Sequence, residues 1–138
     1  LLTEVLFLKP GEQKNFCVVR DGGEDHFSLP GGGCELNETP EEAMTRELFE
    51  EAQIVCKKPE LLGVNVVRIM ENSVWKESVQ QARFMCRAEE IRPFVKHYEG
   101  FEVEERLFVP FASLPEYVSW LKEESNAELL RQVASMII

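Results

Sequence analysis

Residues 32–54 have the sequence GGCELNETPEEAMTRELFEEAQI, in which a glycine-rich turn precedes a predicted helix rich in glutamate. Because an α-helix turns by about 100° per residue, Glu47, Glu50 and Glu51 share one face of this helix. Carboxylates at this spacing repel one another, and near the helix C-terminus the macrodipole also disfavours them. A bound Mg²⁺ or Mn²⁺, which accepts oxygen ligands, would reverse both effects. The segment therefore predicts a divalent-metal site.

The start of this helix is marked by three residues. Thr39 is the expected N-cap, Pro40 takes the first helical position, and Glu42 completes a capping box. The helix is predicted to continue to about Gln53. Its apolar residues recur at every fourth position and form the predicted core face: Met44, Leu48 and Ala52. A solvated glutamate-rich helix without a ligand is the alternative that the spacing alone leaves open.

The spacing in this segment resembles the Nudix box, GX5EX7REUXEEXGU, in which U is a bulky aliphatic residue. The matching positions are Gly32, Glu38, Arg46, Glu47, Leu48, Glu50, Glu51 and Ile54. Residues 27–32 (FSLPGG) and 106–116 (RLFVPFASLPE) also resemble family segments. One position departs, because Gln53 stands where the family usually has a glycine. A glycine there can take a positive φ and end the helix, whereas a residue with a Cβ loses about 1 kcal/mol.

Hydrolysis of a diphosphate requires an activated water, in-line attack at phosphorus and neutralisation of oxygen charge. The resemblance implies this reaction on a nucleoside diphosphate linked to another moiety, with Mg²⁺ or Mn²⁺ as cofactor. It assigns the metal to Glu47, Glu50, Glu51 and the backbone at Gly32. It places Glu47, Glu50 and Arg46 in the catalytic group and leaves open which glutamate is the base. Arg46 either orients other groups or only forms an i,i+4 salt bridge with Glu50.

Further site residues are expected outside the metal ligands. Glu38 resembles the box glutamate that supports the loop, and Phe27 and Glu35 are candidate substrate-binding residues. The family often adds an acidic ligand from outside the box, for which Glu102 or Glu105 is preferred. The wider sets are Glu99, Glu102, Glu104 and Glu105 for that ligand, and Phe27, Trp75, Tyr98 and Phe101 for stacking on a ring.

Composition limits the class of protein. With 138 residues and 44% hydrophobic content, the chain is expected to form one globular domain over residues 1–138. The sequence has neither an apolar run of about 18 residues nor a basic leader, so a soluble, cytoplasmic protein without membrane contacts is expected. A net charge of −10 argues against binding duplex nucleic acid. The expected partners are a nucleotide-type small molecule, bound through metal ions, and a second copy of the chain in a homodimer.

The four cysteines are Cys17, Cys34, Cys56 and Cys86. They are widely spaced and form no CxxC pair, so the sequence does not predict a zinc site. Without an export signal, disulfides would be unusual. We therefore expect reduced thiols.

Strands and helices alternate along the predicted chain, which indicates an α+β fold, and the resemblance implies the Nudix αβα sandwich with a mixed β-sheet. The predicted strands are Glu4–Lys9, Asn15–Arg20, Phe27–Leu29, Leu61–Met70, Val79–Ala88 and Arg106–Phe111. Two helices are predicted after the box, at Leu114–Glu124 and Glu128–Met136.

Other functions stay open at this point. A non-catalytic Nudix-like sensor that binds nucleotides would be expected to lose the three helix carboxylates. A Nudix-type isomerase would need cysteine and acidic residues placed for carbon protonation, and no spacing supports this. Among substrates, a nucleoside triphosphate, including an oxidised one, is the first choice of several.

Overall fold

The computed structural model describes residues 2–10, 15–56, 58–96 and 103–137. Its strands are β1 Leu2–Pro10, β2 Asn15–Asp21, β3 Ile54–Cys56, β4 Glu60–Glu71, β5 Val74–Ile91 and β6 Val103–Pro110. Its α-helices are α1 Pro40–Ala52, α2 Leu114–Tyr117 and α3 Ala127–Met136. Within these ranges no helix is long and apolar enough to cross a membrane.

Strand β5 organises the larger sheet. It pairs in parallel with β1 and antiparallel with both β4 and β3, while β2 and β6 form a separate antiparallel pair. The combination of parallel and antiparallel pairing confirms the expected mixed sheet. The long β4–β5 hairpin extends beyond the residues that pair with β1 and carries exposed apolar side chains such as Val66 and Trp75.

Two buried clusters lie on opposite faces of the strands. Alternation along β2 separates Cys17 and Val19, in one cluster, from Phe16 and Val18, in the other. The first cluster receives the core face of α1, and Met44, Leu48 and Ala52 are fully buried there, as predicted. The second contains Met85 of β5 and residues from the C-terminal segment: Leu114, Val118, Leu121, Leu129 and Val133. This layering places α1 on one side of the strands and α3 on the other.

Two of the expected elements differ in the structure, and one further strand is present. Phe27–Leu29 is not a strand, because only Ser28 pairs with Val19 in an isolated bridge before the chain enters the glycine turn. The predicted helix Leu114–Glu124 ends at Tyr117, and short 3₁₀ turns follow. Val118 takes an extended conformation, with φ −116° and ψ 91°, which interrupts the helix while its side chain stays in the core. The short strand β3 was not predicted.

Cys56 of β3 and Cys86 of β5 form a disulfide, with their Cα atoms 6.2 Å apart. The expectation of reduced thiols is therefore wrong at these two positions. The strands are antiparallel neighbours, and a register shift in β3 puts Cys56 opposite Ala88, two residues from Cys86. Cys17 and Cys34 are outside disulfides, and burial raises the pKa of Cys17 to about 12.

Candidate active site

The N-terminus of α1 has the predicted capping box. The Thr39 hydroxyl accepts a hydrogen bond from the Glu42 backbone N–H at 3.1 Å, and the Glu42 carboxylate accepts one from the Thr39 N–H at 3.2 Å. Pro40 begins the helix, at a position where a backbone N–H would have no partner within the helix, so its lack of an N–H costs no hydrogen bond. The start of the helix is thereby fixed about two turns before Glu47.

Gln53 ends α1 in the left-handed conformation, with φ 53° and ψ 42°. Its side chain is 3% exposed and bonds in two directions. The amide nitrogen donates to the Glu50 carbonyl at 3.0 Å, while the amide oxygen accepts from the Val95 N–H at 2.8 Å. The Gln53 carbonyl also accepts from the Arg92 N–H at 3.0 Å. The residue that departs from the box therefore takes the glycine-like conformation and ties the helix end to the segment after β5.

Arg106 makes a second connection at the same end. Its Nη1 donates to the carbonyls of Ala52, at 2.7 Å, and Arg92, at 2.8 Å. Its guanidinium lies over the rings of Phe94 and Phe108, with its central carbon 5.6 and 5.3 Å from the ring centroids. Orphan carbonyls at a helix end need such donors, so the C-terminus of α1 is held by side chains remote in sequence.

Glu51 faces the glycine turn. Its Oε1 accepts a hydrogen bond from the Gly31 backbone N–H at 2.8 Å. Burial raises the pKa of Glu51 to about 8, and the negative charges of Glu47, Asp21 and Glu50 add to this, although the Gly31 bond acts in the opposite direction. Glu51 is thus an acid that ionises with difficulty unless positive charge is supplied.

Glu47 packs directly against Gly32. A Cβ at Gly32 would lie 2.5 Å from the Glu47 carboxyl carbon and 2.6 Å from its Oε1. The box glycine therefore leaves the space that the carboxylate occupies. Glu47 is only 7% exposed, and burial raises its pKa, opposed by hydrogen bonding to Arg46.

Arg46 joins the acidic residues to one another. Its guanidinium donates to both oxygens of Glu38 at 2.8 and 2.9 Å, to Glu47 at 2.9 Å and to Glu50 at 3.1 Å. A further bond reaches the Gly33 carbonyl at 3.1 Å. The Arg46 bonds, with the Glu35 N–H, lower the pKa of Glu38 to about 2. The expected salt bridge to Glu50 is present, and Glu38 supports the loop as predicted.

The remaining candidates are less closely associated with the acidic face. Phe27 packs edge-to-face on Tyr117, with centroids 5.5 Å apart, on the side of the second core cluster. The exposed Glu35 carboxylate lies 3.9 Å from Arg46. Glu105 pairs with Arg20 at 3.2 Å. The other outcomes are that Glu104 pairs with Lys96, Trp75 is exposed on the hairpin, and Glu99, Glu102, Tyr98 and Phe101 lie outside the described residues.

Asp21 is an acidic residue near the site that the sequence interpretation missed. Its negative charge contributes to the raised pKa of Glu51, as do the charges of Glu47 and Glu50. Asp21 ends β2 immediately before the Gly22–Gly23 turn. A carboxylate at the end of a buried strand, followed by a turn, was the available signal.

The acidic groups and the glycine turn have the chemistry of a site for a hard divalent cation. Carboxylate oxygens from Glu47, Glu50 and Glu51 and a backbone carbonyl at Gly32 would be suitable ligands for Mg²⁺ or Mn²⁺. In the present conformation, no three acidic, histidine or cysteine side chains of the described chain form a closed ligand set. Arg46 bridges Glu47 and Glu50 instead, at 2.9 and 3.1 Å.

The chain belongs to the Nudix family, because the NUDIX domain model matches residues 4–133. An RNA pyrophosphohydrolase of Saccharophagus degradans is 47% identical over 45 residues, 33% of this chain and 26% of that protein. A MutT-like protein of Streptomyces ambofaciens is 40% identical over 53 residues, 38% of this chain and 34% of that protein. The matches thus span about a quarter to a third of these relatives.

A crystal structure of a UDP-X diphosphatase has the same fold, with a TM-score of 0.75 over 98% of this chain and 63% of that chain. Its sequence identity of 24% means that the likeness concerns the fold alone. The α+β Nudix fold expected from the sequence is confirmed.

Proposed function

We propose that this chain hydrolyses a diphosphate bond in a nucleoside diphosphate linked to another moiety, in a reaction that depends on Mg²⁺ or Mn²⁺. A nucleoside triphosphate, including an oxidised one, is the preferred substrate. The supporting observation is the set of carboxylates of Glu47, Glu50 and Glu51 on one helix face, of which Glu47 packs on Gly32 and Glu51 accepts from the Gly31 N–H. Two of them have raised pKa values because they are buried.

A divalent cation would act at this face in two ways. When bound by the carboxylates and the Gly32 carbonyl, it would neutralise phosphate oxygens and lower the pKa of water. It would also favour the ionised form of Glu51, which burial now disfavours. An overall charge of −10 would otherwise repel a diphosphate, and this charge balance supports the proposed metal dependence.

The protein groups have separate proposed roles. Glu47 and Glu50 are the candidates for the general base, since both carboxylates lie on the same helix face beside Arg46. Arg46 contacts both, and would fix their orientation rather than react itself. Glu51 is the proposed ligand whose position the Gly31 N–H fixes. Glu38 holds Arg46 and acts through it.

Purified protein should be tested with nucleoside triphosphates, oxidised nucleotides, UDP-linked compounds, ADP-ribose, dinucleoside polyphosphates and 5′-triphosphate RNA. We expect hydrolysis with Mg²⁺, loss of hydrolysis in EDTA, and recovery when Mg²⁺ or Mn²⁺ is added in excess. Undiminished turnover in EDTA would contradict metal dependence. Nucleotide binding without turnover of any substrate would favour the sensor alternative.

A further inference from the structure

A cavity of about 530 Å³ lies on the face of β5 that bears Met85, away from α1. Its lining includes Asn65, Arg68, Gln81, Arg83, Trp120 and Asn126. The volume is within the range of ligand pockets, which are about 300–1,000 Å³. None of these residues belongs to the Nudix box, so the box does not explain the cavity.

Arg83 is a buried cation in the wall of this cavity, with 7% of its surface exposed. Its Nε donates to the Gln81 side-chain oxygen at 3.0 Å, and its Nη1 donates to the Asn126 side-chain oxygen at 3.0 Å. With its amide oxygen turned towards the guanidinium, Asn65 also accepts, at 2.8 Å from Nη1 and 3.3 Å from Nη2. The Trp120 ring centroid is 5.3 Å from the guanidinium carbon. Four of the five N–H groups are thus engaged, which fixes the guanidinium and leaves one Nη2 N–H for a further acceptor.

The hydrogen-bond partners of Arg83 in the described chain are all neutral amide oxygens. Glu123 also lines the cavity, but it is exposed and forms no ion pair with Arg83 within the described ranges. A buried charge normally has a counter-charge, because desolvation is costly. Among the described residues Arg83 has no carboxylate partner, so this cation can attract an oxygen from a ligand.

The hydrogen-bond chemistry of the wall restricts that ligand. A guanidinium only donates, so it favours a ring carbonyl and opposes an exocyclic amino group, which would present another donor. Arginine donates to O6 of guanine in the same way, and the remaining Nη2 N–H of Arg83 can make one such bond. Trp120 supplies an aromatic surface of the kind on which a planar base packs. Met85 lies two residues from Arg83 on the same strand. It packs in the second core cluster with Leu29, which precedes the glycine turn, so the cavity and the entry to that turn lie on the same face of the strands.

We propose that this cavity binds the base of a nucleotide, and that Arg83 selects bases with an oxygen at purine position 6 or pyrimidine position 4. Guanine, hypoxanthine and uracil are then preferred over adenine and cytosine. This assignment rests on the proposed function for the nucleotide nature of the ligand. It adds a residue that determines base specificity and has no part in the hydrolytic step.

Binding can be measured through Trp120 itself. The chain has two tryptophans, and Trp75 is exposed on the hairpin, so Trp75→Phe leaves Trp120 as the fluorescent reporter. The titrants are two pairs of monophosphates, inosine against adenosine and uridine against cytidine, without metal. Each pair differs in the tested oxygen or amino group and has no diphosphate to hydrolyse. We expect the oxygen-bearing member to bind at least about tenfold more tightly.

The Arg83→Gln variant should bind the two members of each pair with equal affinity. Arg87→Gln is the matched control, since Arg87 lies on the same strand and outside this cavity, and it should keep the preference. If Arg83→Gln does not fold by circular dichroism, Arg83→Lys retains the charge but loses the planar fork and should reduce the preference.

Equal affinities within both pairs in the parent protein would overturn the assignment. So would an unchanged preference in a folded Arg83 variant, or displacement of inosine monophosphate from Trp120 by equimolar inorganic phosphate, which would indicate an anion site. A clear preference in binding with no turnover of any substrate would reject the proposed hydrolysis and leave the base assignment intact. Turnover without any base preference would reject the base assignment and leave the proposed hydrolysis intact.

Discussion

Arg46 and Arg83 are partly or fully buried arginines in opposite electrostatic settings. Arg46 donates to the carboxylates of Glu38, Glu47 and Glu50, and its pKa is raised chiefly by the bonds to Glu38. Arg83 donates to neutral amides, and burial lowers its pKa. The first region therefore has surplus negative charge despite its arginine, and the second has surplus positive charge. Each surplus indicates what the region should bind, a cation in one case and an oxygen acceptor in the other.

The largest expected effect comes from removing one charge on the acidic side. Glu51→Gln should lower kcat by at least about 10²-fold, because a ligand to the charge-stabilising cation is lost. The amide can still accept from the Gly31 N–H, so the fold should be kept. Steady-state kinetics and circular dichroism measure the two effects. Glu41→Gln, an exposed residue on the same helix, is the control and should leave kcat unchanged; near-normal turnover in Glu51→Gln would place the chemistry elsewhere.

Metal binding should also stabilise the fold. A cation bound only by the folded chain adds RT ln(1 + [L]/Kd), about 2.7 kcal/mol at 100 times Kd. This corresponds to a Tm rise of several degrees. The combined change Glu47→Gln, Glu50→Gln and Glu51→Gln should remove the Mg²⁺-dependent rise and keep or increase stability without metal. Calorimetry showing the same Mg²⁺ shift in that variant would mean that the cation binds another region.

The pH dependence of the metal-free protein tests the surplus of negative charge. The pKa of Glu51 is raised from 4.5 to about 8 on folding, so the folded state holds a proton that the unfolded state releases between these values. This contribution to stability is therefore full below about pH 4.5 and is lost as pH rises through about 8. Urea unfolding across pH 5 to 9 should show a steeper decline for the wild type than for Glu51→Gln. Parallel curves would argue against a buried, destabilised carboxylate.

The smallest expected effect concerns the end of α1. Gln53→Ala removes the bonds to Glu50 and Val95 but keeps a Cβ in the left-handed conformation, so unfolding free energy should fall by about 1–2 kcal/mol. Gln53→Gly loses the same bonds but relieves the conformational cost, which is about 1 kcal/mol. Chemical denaturation should therefore rank the stabilities as wild type, then Gly, then Ala. An alanine variant as stable as the wild type would show that these bonds contribute nothing measurable.

The features predicted correctly depend on residues close together in sequence. The capping box follows from the Thr-x-x-Glu pattern at Thr39 and Glu42, and the core face and carboxylate face of α1 follow from helical periodicity. The mixed sheet was expected from the family resemblance rather than from the strands themselves. Local sequence patterns therefore predicted helix α1 and its two faces, and the family resemblance predicted the sheet.

The errors have a common physical origin in contacts between distant segments. The apolar spacing around Val118 predicted a continuous helix. In the structure the side chain of Val118 is buried in the second core cluster although its backbone is extended. Cys56 and Cys86 come together only when β3 pairs with β5. The surroundings of Arg83 combine β4, β5 and the segment before α3, which no local pattern relates.

The contact between Gly32 and Glu47 suggests a practical reagent. A single methyl group, introduced by Gly32→Ala, would collide with the Glu47 carboxylate, which is buried and bonded to Arg46, and would displace it from its present position. Such a protein would keep all its acidic residues and its net charge, but the Glu47 carboxylate would be displaced. It would be a form suited to capturing an intact substrate from a mixture of cell metabolites, because it retains the charges that attract metal and nucleotide but turns over slowly.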